Sequence, residues 1–156
     1  MKSSKDSKEK HQEYFHKICV VGGGLTGAIM VLLLKQSKLF KKNEIAWIKP
    51  KEKKHADFRT TFYNSASIEL LKDLHLIDNL DFDDYSTVNQ IEVFGAKRSS
   101  PLIWNNSSSN SPLGIVVKNE IILNALDKLL NDIPNYDGTV TNTDINEYER
   151  TLYLDN

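Results

Sequence analysis

The segment from Lys17 to Gly27 reads K-I-C-V-V-G-G-G-L-T-G, a short β-branched run that stops in glycines and restarts as the apolar stretch Ala28 to Leu34. No other feature constrains the fold as strongly. A strand that turns on glycine and re-emerges as a helix leaves backbone N–H groups at the helix start without partners, all directed at one spot. That spot favours a phosphate. Gly22 permits the tight turn, Gly24 lets an anion approach the backbone without meeting a Cβ, and Gly27 lets helix and strand pack closely. With Leu25 and Thr26 between them, these residues form a candidate dinucleotide cradle.

The rest of the chain reads as α/β. After the first helix, which fades between Gln36 and Leu39, Glu44 to Ile48 is a second buried strand closed by Pro50, completing a Rossmann-like β-α-β unit. A Lys-rich loop then runs to Phe58. Asn64 or Ser65 caps a helix carrying Ile68, Leu71 and Leu74, which ends near His75. Val88 to Phe94 alternates as a strand and stops at Gly95. Ser99 to Ser111 is a Ser- and Asn-rich loop crossed by Leu102 to Trp104 as an edge strand. Leu113 to Val117 is strand-like, and Glu120 to Leu130 is a helix. Asp137-Gly138 forms a turn, and Thr151 to Leu154 is a last candidate strand. The expected fold class is therefore α/β with a mostly parallel sheet and helices on both faces. Residues 1–14 form a flexible Lys/Ser-rich tail, and residues 15–156 form the single domain.

A chain of 156 residues buries roughly 68–70% of its unfolded surface, enough for a core. Its 40% hydrophobic and 26% charged residues are those of an ordinary soluble globular protein. No apolar block approaches membrane-spanning length. Residues 1–54 carry 13 Lys against 5 acids, a net of +8, whereas residues 55–156 carry a net of −9. The basic part would attract an anionic cofactor or membrane surface, or simply solvate the loops around the second strand. Nucleic acid is not an expected partner, because the basic residues are not interleaved with aromatics. The single cysteine, Cys19, lies in the first strand, where a buried packing role is expected, and the cytoplasm is the natural compartment.

No independent catalytic centre is legible. His11, His16, His55 and His75 lack metal-ligand spacing, and neither C-x-x-C nor G-x-S-x-G occurs. The acidic cluster Asp81, Asp83 and Asp84 lacks the remainder of a calcium loop and reads as a solvated loop.

Three segments in order resemble one family, the FAD-dependent aromatic-ring hydroxylases of ubiquinone biosynthesis, which share the para-hydroxybenzoate hydroxylase fold. They are V-V-G-G-G-L-T-G at Val20 to Gly27, D-F-R-T-T-F-Y-N-S-A-S-I-E-L-L-K-D-L-H-L-I-D at Asp57 to Asp78, and L-G-I-V-V-K-N-E-I-I-L-N-A-L at Leu113 to Leu126. The second and third are similar to the family's D-x-R segment and its G-Y-V-V-E-N-x-x-L segment. The resemblance implies that the glycine turn holds the FAD pyrophosphate and that Arg59 places a fork-shaped cation near the flavin. It also implies that Asn119 helps hold the cofactor; a helix N-cap for Glu120 onward is the structural alternative for this residue. The implied activity is reduction of FAD by NAD(P)H, followed by oxygen-dependent hydroxylation of a polyprenylated phenol. The implied location is the cytoplasm, with peripheral contact at the inner membrane left open.

Two departures shape the expectations. The acid that accepts bonds from the adenosine ribose at the end of the second strand is here Lys49, 22 residues after Gly27. An ammonium donates and cannot accept. Glu52 would stand in, or Lys49 with Lys51, Lys53 and Lys54 would pair with a 2′-phosphate and bind NADP. Second, the family's later D-G and G-D segments have no counterpart, so the chain matches roughly the N-terminal two-fifths of such an enzyme. Three functional classes follow: the FAD-binding portion of a truncated or split monooxygenase completed by a second chain, a non-catalytic nucleotide-binding or scaffold protein, and a small NADP-binding oxidoreductase domain.

Overall fold

The computed structural model describes residues 12–51, 58–78, 80–95, 100–106 and 111–155. Most of the N-terminal tail and the loop containing Glu52, Lys53 and Lys54 lie outside the described residues.

The chain opens with β1 (Ile18–Val21), α1 (Leu25–Ser37) and β2 (Ile45–Lys49), the expected β-α-β unit. There follow β3 (Thr60–Asn64), α2 (Ser65–Asp73), β4 (Tyr85–Val88), β5 (Gln90–Val93) and β6 (Leu102–Asn105). The remainder is β7 (Gly114–Lys118), α3 (Asn119–Leu129), β8 (Asn135–Asp137), β9 (Val140–Ile145) and β10 (Arg150–Leu154). The mixed α/β class is as expected. Parallel pairing is confined to one layer, in the order β1-β2-β8. The other described sheets, β3-β7-β4, β5-β6 and β9-β10, pair antiparallel.

β2 is the central strand of the parallel layer, and Ile45, Ala46, Trp47 and Ile48 are all buried, as an inner parallel strand requires. Trp47 and Ile45 of this strand share one core with Ala28, Val31 and Leu32 of α1, Ile122 and Leu126 of α3, and Leu130 just beyond it. The same apolar cluster continues into the antiparallel layer through Tyr63, Leu71, Leu74, Ile115 and Val117, so both layers share one core.

Local chemistry sets the boundaries. α1 ends at Lys38, which adopts φ 58°. α2 begins where the Asn64 side chain accepts the Ser67 N–H at 2.9 Å, a side-chain N-cap. It is closed by His75, also left-handed at φ 58°. The strand expected from Val88 to Phe94 divides into β4 and β5, which join different sheets.

Cys19 corrects an expectation: it is exposed rather than buried in packing. β1 alternates inward Ile18 and Val20 with outward Cys19 and Val21, because α1 covers only one face of this edge strand. Local desolvation nonetheless pushes the thiol pKa up. The β5–β6 hairpin exposes Ile91, Val93, Leu102, Ile103 and Trp104, and the outer side of α1 exposes Met30 and Leu33. No helix among the described residues is long and apolar enough to cross a membrane.

Candidate functional site

The glycine turn is built by contacts that only glycine permits. The Gly22 N–H donates to Ile48 O at 2.8 Å, extending the β1–β2 pairing one residue past the strand. Gly22 then turns with φ 135°, a conformation that side chains rarely adopt. Its carbonyl oxygen faces α1 so closely that a Cβ on Gly27 would lie 2.2 Å from it. The same oxygen accepts the indole N–H of Trp47 at 2.8 Å. Gly23 is wedged against the end of β2, where a Cβ would stand 3.0 Å from the Cβ of Lys49 and 3.1 Å from Cδ of Pro50.

Gly24 differs from Gly23 and Gly27. It is the N-cap of α1, in an extended conformation, and a Cβ built there meets nothing within 4 Å. The first hydrogen bond of this turn into the helix is Ala28 N–H to Gly24 O at 3.0 Å. The N–H groups of Leu25, Thr26 and Gly27 therefore precede any carbonyl of α1 that could accept them. Next to the open Cβ side of Gly24, three helix-start donors and the positive end of the helix dipole make a constellation that fits a pyrophosphate.

Lys49 ends β2 as a cation already engaged. Its Nζ lies 3.5 Å from Asp127 Oδ1 on α3 and 4.8 Å from the centroid of the Trp47 ring. Its backbone carbonyl accepts the Gly138 N–H at 2.9 Å. The position offers no acceptor to a ribose hydroxyl, and Glu52 lies outside the described residues.

Arg59 and Asn119 meet across the antiparallel layer. The β3–β7 register pairs Thr60 with Lys118, and one step further the Asn119 N–H donates to Arg59 O at 2.9 Å. Asn119 is buried, and its Oδ1 accepts the Thr61 hydroxyl at 2.6 Å. The N-cap alternative for Asn119 does not hold. The residue is already the first of α3, the cap position falls on Lys118, and the Asn119 side chain is turned to Thr61 instead.

The two halves of the candidate site lie toward the same side of the parallel layer. α1 and α3 pack together and end together, with Lys35 of α1 donating to Leu129 O and to Asp132 at 2.7 Å. Both helices return the chain to the start of a parallel strand, α1 to β2 and α3 to β8. Their N-termini, the glycine turn and Asn119, therefore share the carboxyl-end side of the sheet, where ligands of open α/β sheets bind.

Thr61 and Trp47 escaped the sequence reading. The alternation in T-T-F-Y-N and its β-branched threonines signal β3, which places Thr61 facing inward. No sequence signal announces the bond from Trp47 to Gly22, since a Trp in a buried strand ordinarily reads as packing.

No protein-family model matches the chain, and no curated protein matches it in sequence. Solved structures do match in fold. The p-nitrophenol 4-monooxygenase PnpA of Pseudomonas putida DLL-E4 superposes with a TM-score of 0.67 at 13% identity, over 90% of this chain and 36% of that one. PqsL of Pseudomonas aeruginosa, described as a probable FAD-dependent monooxygenase, matches with a TM-score of 0.62 at 11% identity, over 86% of this chain and 36% of that one. Xcc4156, a flavin-dependent halogenase of Xanthomonas campestris, gives 0.64 at 10% identity, over 92% and 40%. This chain therefore has the fold of part of these flavin enzymes and spans little more than a third of their length.

Proposed function

We propose that this chain is the FAD-binding portion of a flavin-dependent monooxygenase. The observation that carries the reading is the contrast within the glycine turn, where Gly27 is jammed against Gly22 O and the Cβ side of Gly24 is empty. The backbone N–H groups of Gly24, Leu25, Thr26 and Gly27 bind the pyrophosphate, with Gly22 setting the approach. Arg59 and Asn119 hold the flavin-side half of the cofactor. A flavin held there would supply the redox chemistry between NAD(P)H and oxygen, and the chain's own residues would bind and orient it. The flavin monooxygenases among the structures of like fold support this reading.

The finer reading is ring hydroxylation of a polyprenylated phenol in ubiquinone biosynthesis, and it rests on the three sequence motifs. A second chain would supply the missing part of the active site. The exposed apolar residues of the β5–β6 hairpin and the outer face of α1 are surfaces it would cover. The compartment is the cytoplasm, with peripheral contact at the inner membrane during delivery of the prenylated substrate.

The test is the visible absorption spectrum of the purified protein, followed by titration with FAD and NADP. Saturable FAD binding with a perturbed flavin spectrum is expected. A protein that ignores FAD sinks the proposal; NADP binding would then favour the small oxidoreductase, and indifference to both the scaffold. The NADP reading has one observation in its favour, the Lys49 cation beside the turn, although that ammonium is held by Asp127.

A further inference from the structure

Thr61 occupies a position that packing alone would give to valine. It sits on β3 opposite Val117 of β7 and shares its strand face with Tyr63, which is buried in the common core. A threonine there brings a hydroxyl that must find a partner. It has one proton to donate, and two polar groups are near it. The Tyr63 hydroxyl is buried without a hydrogen-bond partner. Burial pushes the Tyr63 pKa up and the neighbouring Thr61 hydroxyl opposes that push, but the Tyr63 oxygen makes no hydrogen bond of regular geometry. Thr61 instead donates to Asn119 Oδ1 at 2.6 Å.

That choice fixes the amide. A carboxamide is planar, with an accepting oxygen on one side and an NH2 carrying two donors on the other. Once Thr61 holds Oδ1 and the Asn119 N–H is committed to Arg59 O, the orientation of the amide is set and its NH2 edge is the one left to donate to a ligand. We infer that Thr61 is a positioning residue that locks the Asn119 amide with its NH2 turned to an oxygen-rich ligand, the flavin-side polyol portion of a dinucleotide. The inference rests on the FAD-binding reading above and adds a residue that carries no contact to the cofactor itself. Hydrophobic patterning explains Tyr63 and Val117 on these facing strands, but not the hydroxyl of Thr61.

The test uses the full chain and its Thr61→Val and Thr61→Ser variants, titrated with FAD by flavin fluorescence, with circular dichroism and thermal melting of the apo proteins alongside. The side-chain NH2 resonances of Asn119, assigned by their loss in Asn119→Asp, are followed in the same titration. Thr61→Val is expected to keep its fold and bind FAD about tenfold more weakly, the loss of roughly one hydrogen bond. Thr61→Ser should stay within about twofold of the parent, since it keeps the hydroxyl. In the parent, the Asn119 NH2 signals should shift on FAD binding, and in apo Thr61→Val they should already differ from the parent's. Equal affinity for the parent and Thr61→Val, or equal weakening by Val and Ser, overturns the inference and leaves the FAD reading standing. So does an Asn119 NH2 signal that FAD leaves unmoved at saturation, a result that needs no variant to fold. A parent that binds no FAD removes both.

Discussion

The indole N–H of Trp47, in the centre of β2, donates to the carbonyl of Gly22, the first residue of the glycine turn, at 2.8 Å. A buried side chain of one strand thereby holds the oxygen against which Gly27 must also pack. Trp47→Phe removes the donor and part of the ring volume. Denaturant unfolding should show a loss of about 2–3 kcal/mol, combining one net hydrogen bond with a small cavity. A variant as stable as the parent would mean that the turn holds itself.

Gly24 and Gly27 should separate folding from binding. A Cβ at residue 27 would meet backbone oxygen at 2.2 Å, which no rotamer change relieves. Gly27→Ala is expected to cost about 3 kcal/mol or more, or to prevent folding. Gly24 is extended, at φ −84° and ψ 178°, with open space around it. Gly24→Ala should melt within about 0.5 kcal/mol of the parent while FAD affinity falls at least about tenfold, because the methyl group occupies the anion's approach. Equal FAD affinity in Gly24→Ala would place the nucleotide elsewhere.

Lys49→Glu tests the cation beside the turn. It replaces a 3.5 Å ion pair with Asp127 by two like charges, at a cost of about 1 kcal/mol or less because Asp127 is half exposed. On the FAD reading, the new carboxylate restores a ribose acceptor, and FAD affinity holds or rises in titration. A large loss of NADP binding in the same variant would instead support the NADP reading.

Acid should loosen the seam between α1 and α3. The Lys35 and Lys42 ammonium groups beside Asp132 lower its carboxyl pKa from the ordinary 3.8 to about 2. A depressed folded-state value adds stability that is complete above about pH 4 and is lost as the pH falls toward 2. The side chain is 34% exposed, so solvent screening reduces the contribution to about 1 kcal/mol or less. The stability difference between the parent and Asp132→Asn, measured across this range, should shrink toward zero at pH 2. A difference that does not change with pH would remove the ion pairs as its cause.

Tyr63 predicts a substitution that does no harm. Its hydroxyl is buried without a partner, an arrangement that costs about 1–3 kcal/mol in desolvation. Tyr63→Phe should leave the melting temperature unchanged or raise it. A clear fall would reveal a hydrogen bond to ordered water.

The sequence by itself determined the β-α-β unit, the places of α2 and α3, the turn at Gly22 and the close approach at Gly27. Those features depend on neighbours a few residues apart: the 3.6-residue period, the capping Asn64, and the glycines where a Cβ has no room. It also placed Arg59 and Asn119 in the candidate site through motif resemblance, without a geometric reason. The tertiary structure shows that these two residues meet, because the β3–β7 register brings positions sixty residues apart within one hydrogen bond. It also decided that Asn119 bonds Thr61 rather than capping its helix, that Cys19 lies on an uncovered strand face, and that Lys49 is held by Asp127. β8 was illegible for the same reason: Asn-Tyr-Asp has no strand pattern of its own, and it becomes a strand because the edge of β2 offers it partners. Local spacing fixes which elements form, whereas pairing between distant segments fixes which side chains meet.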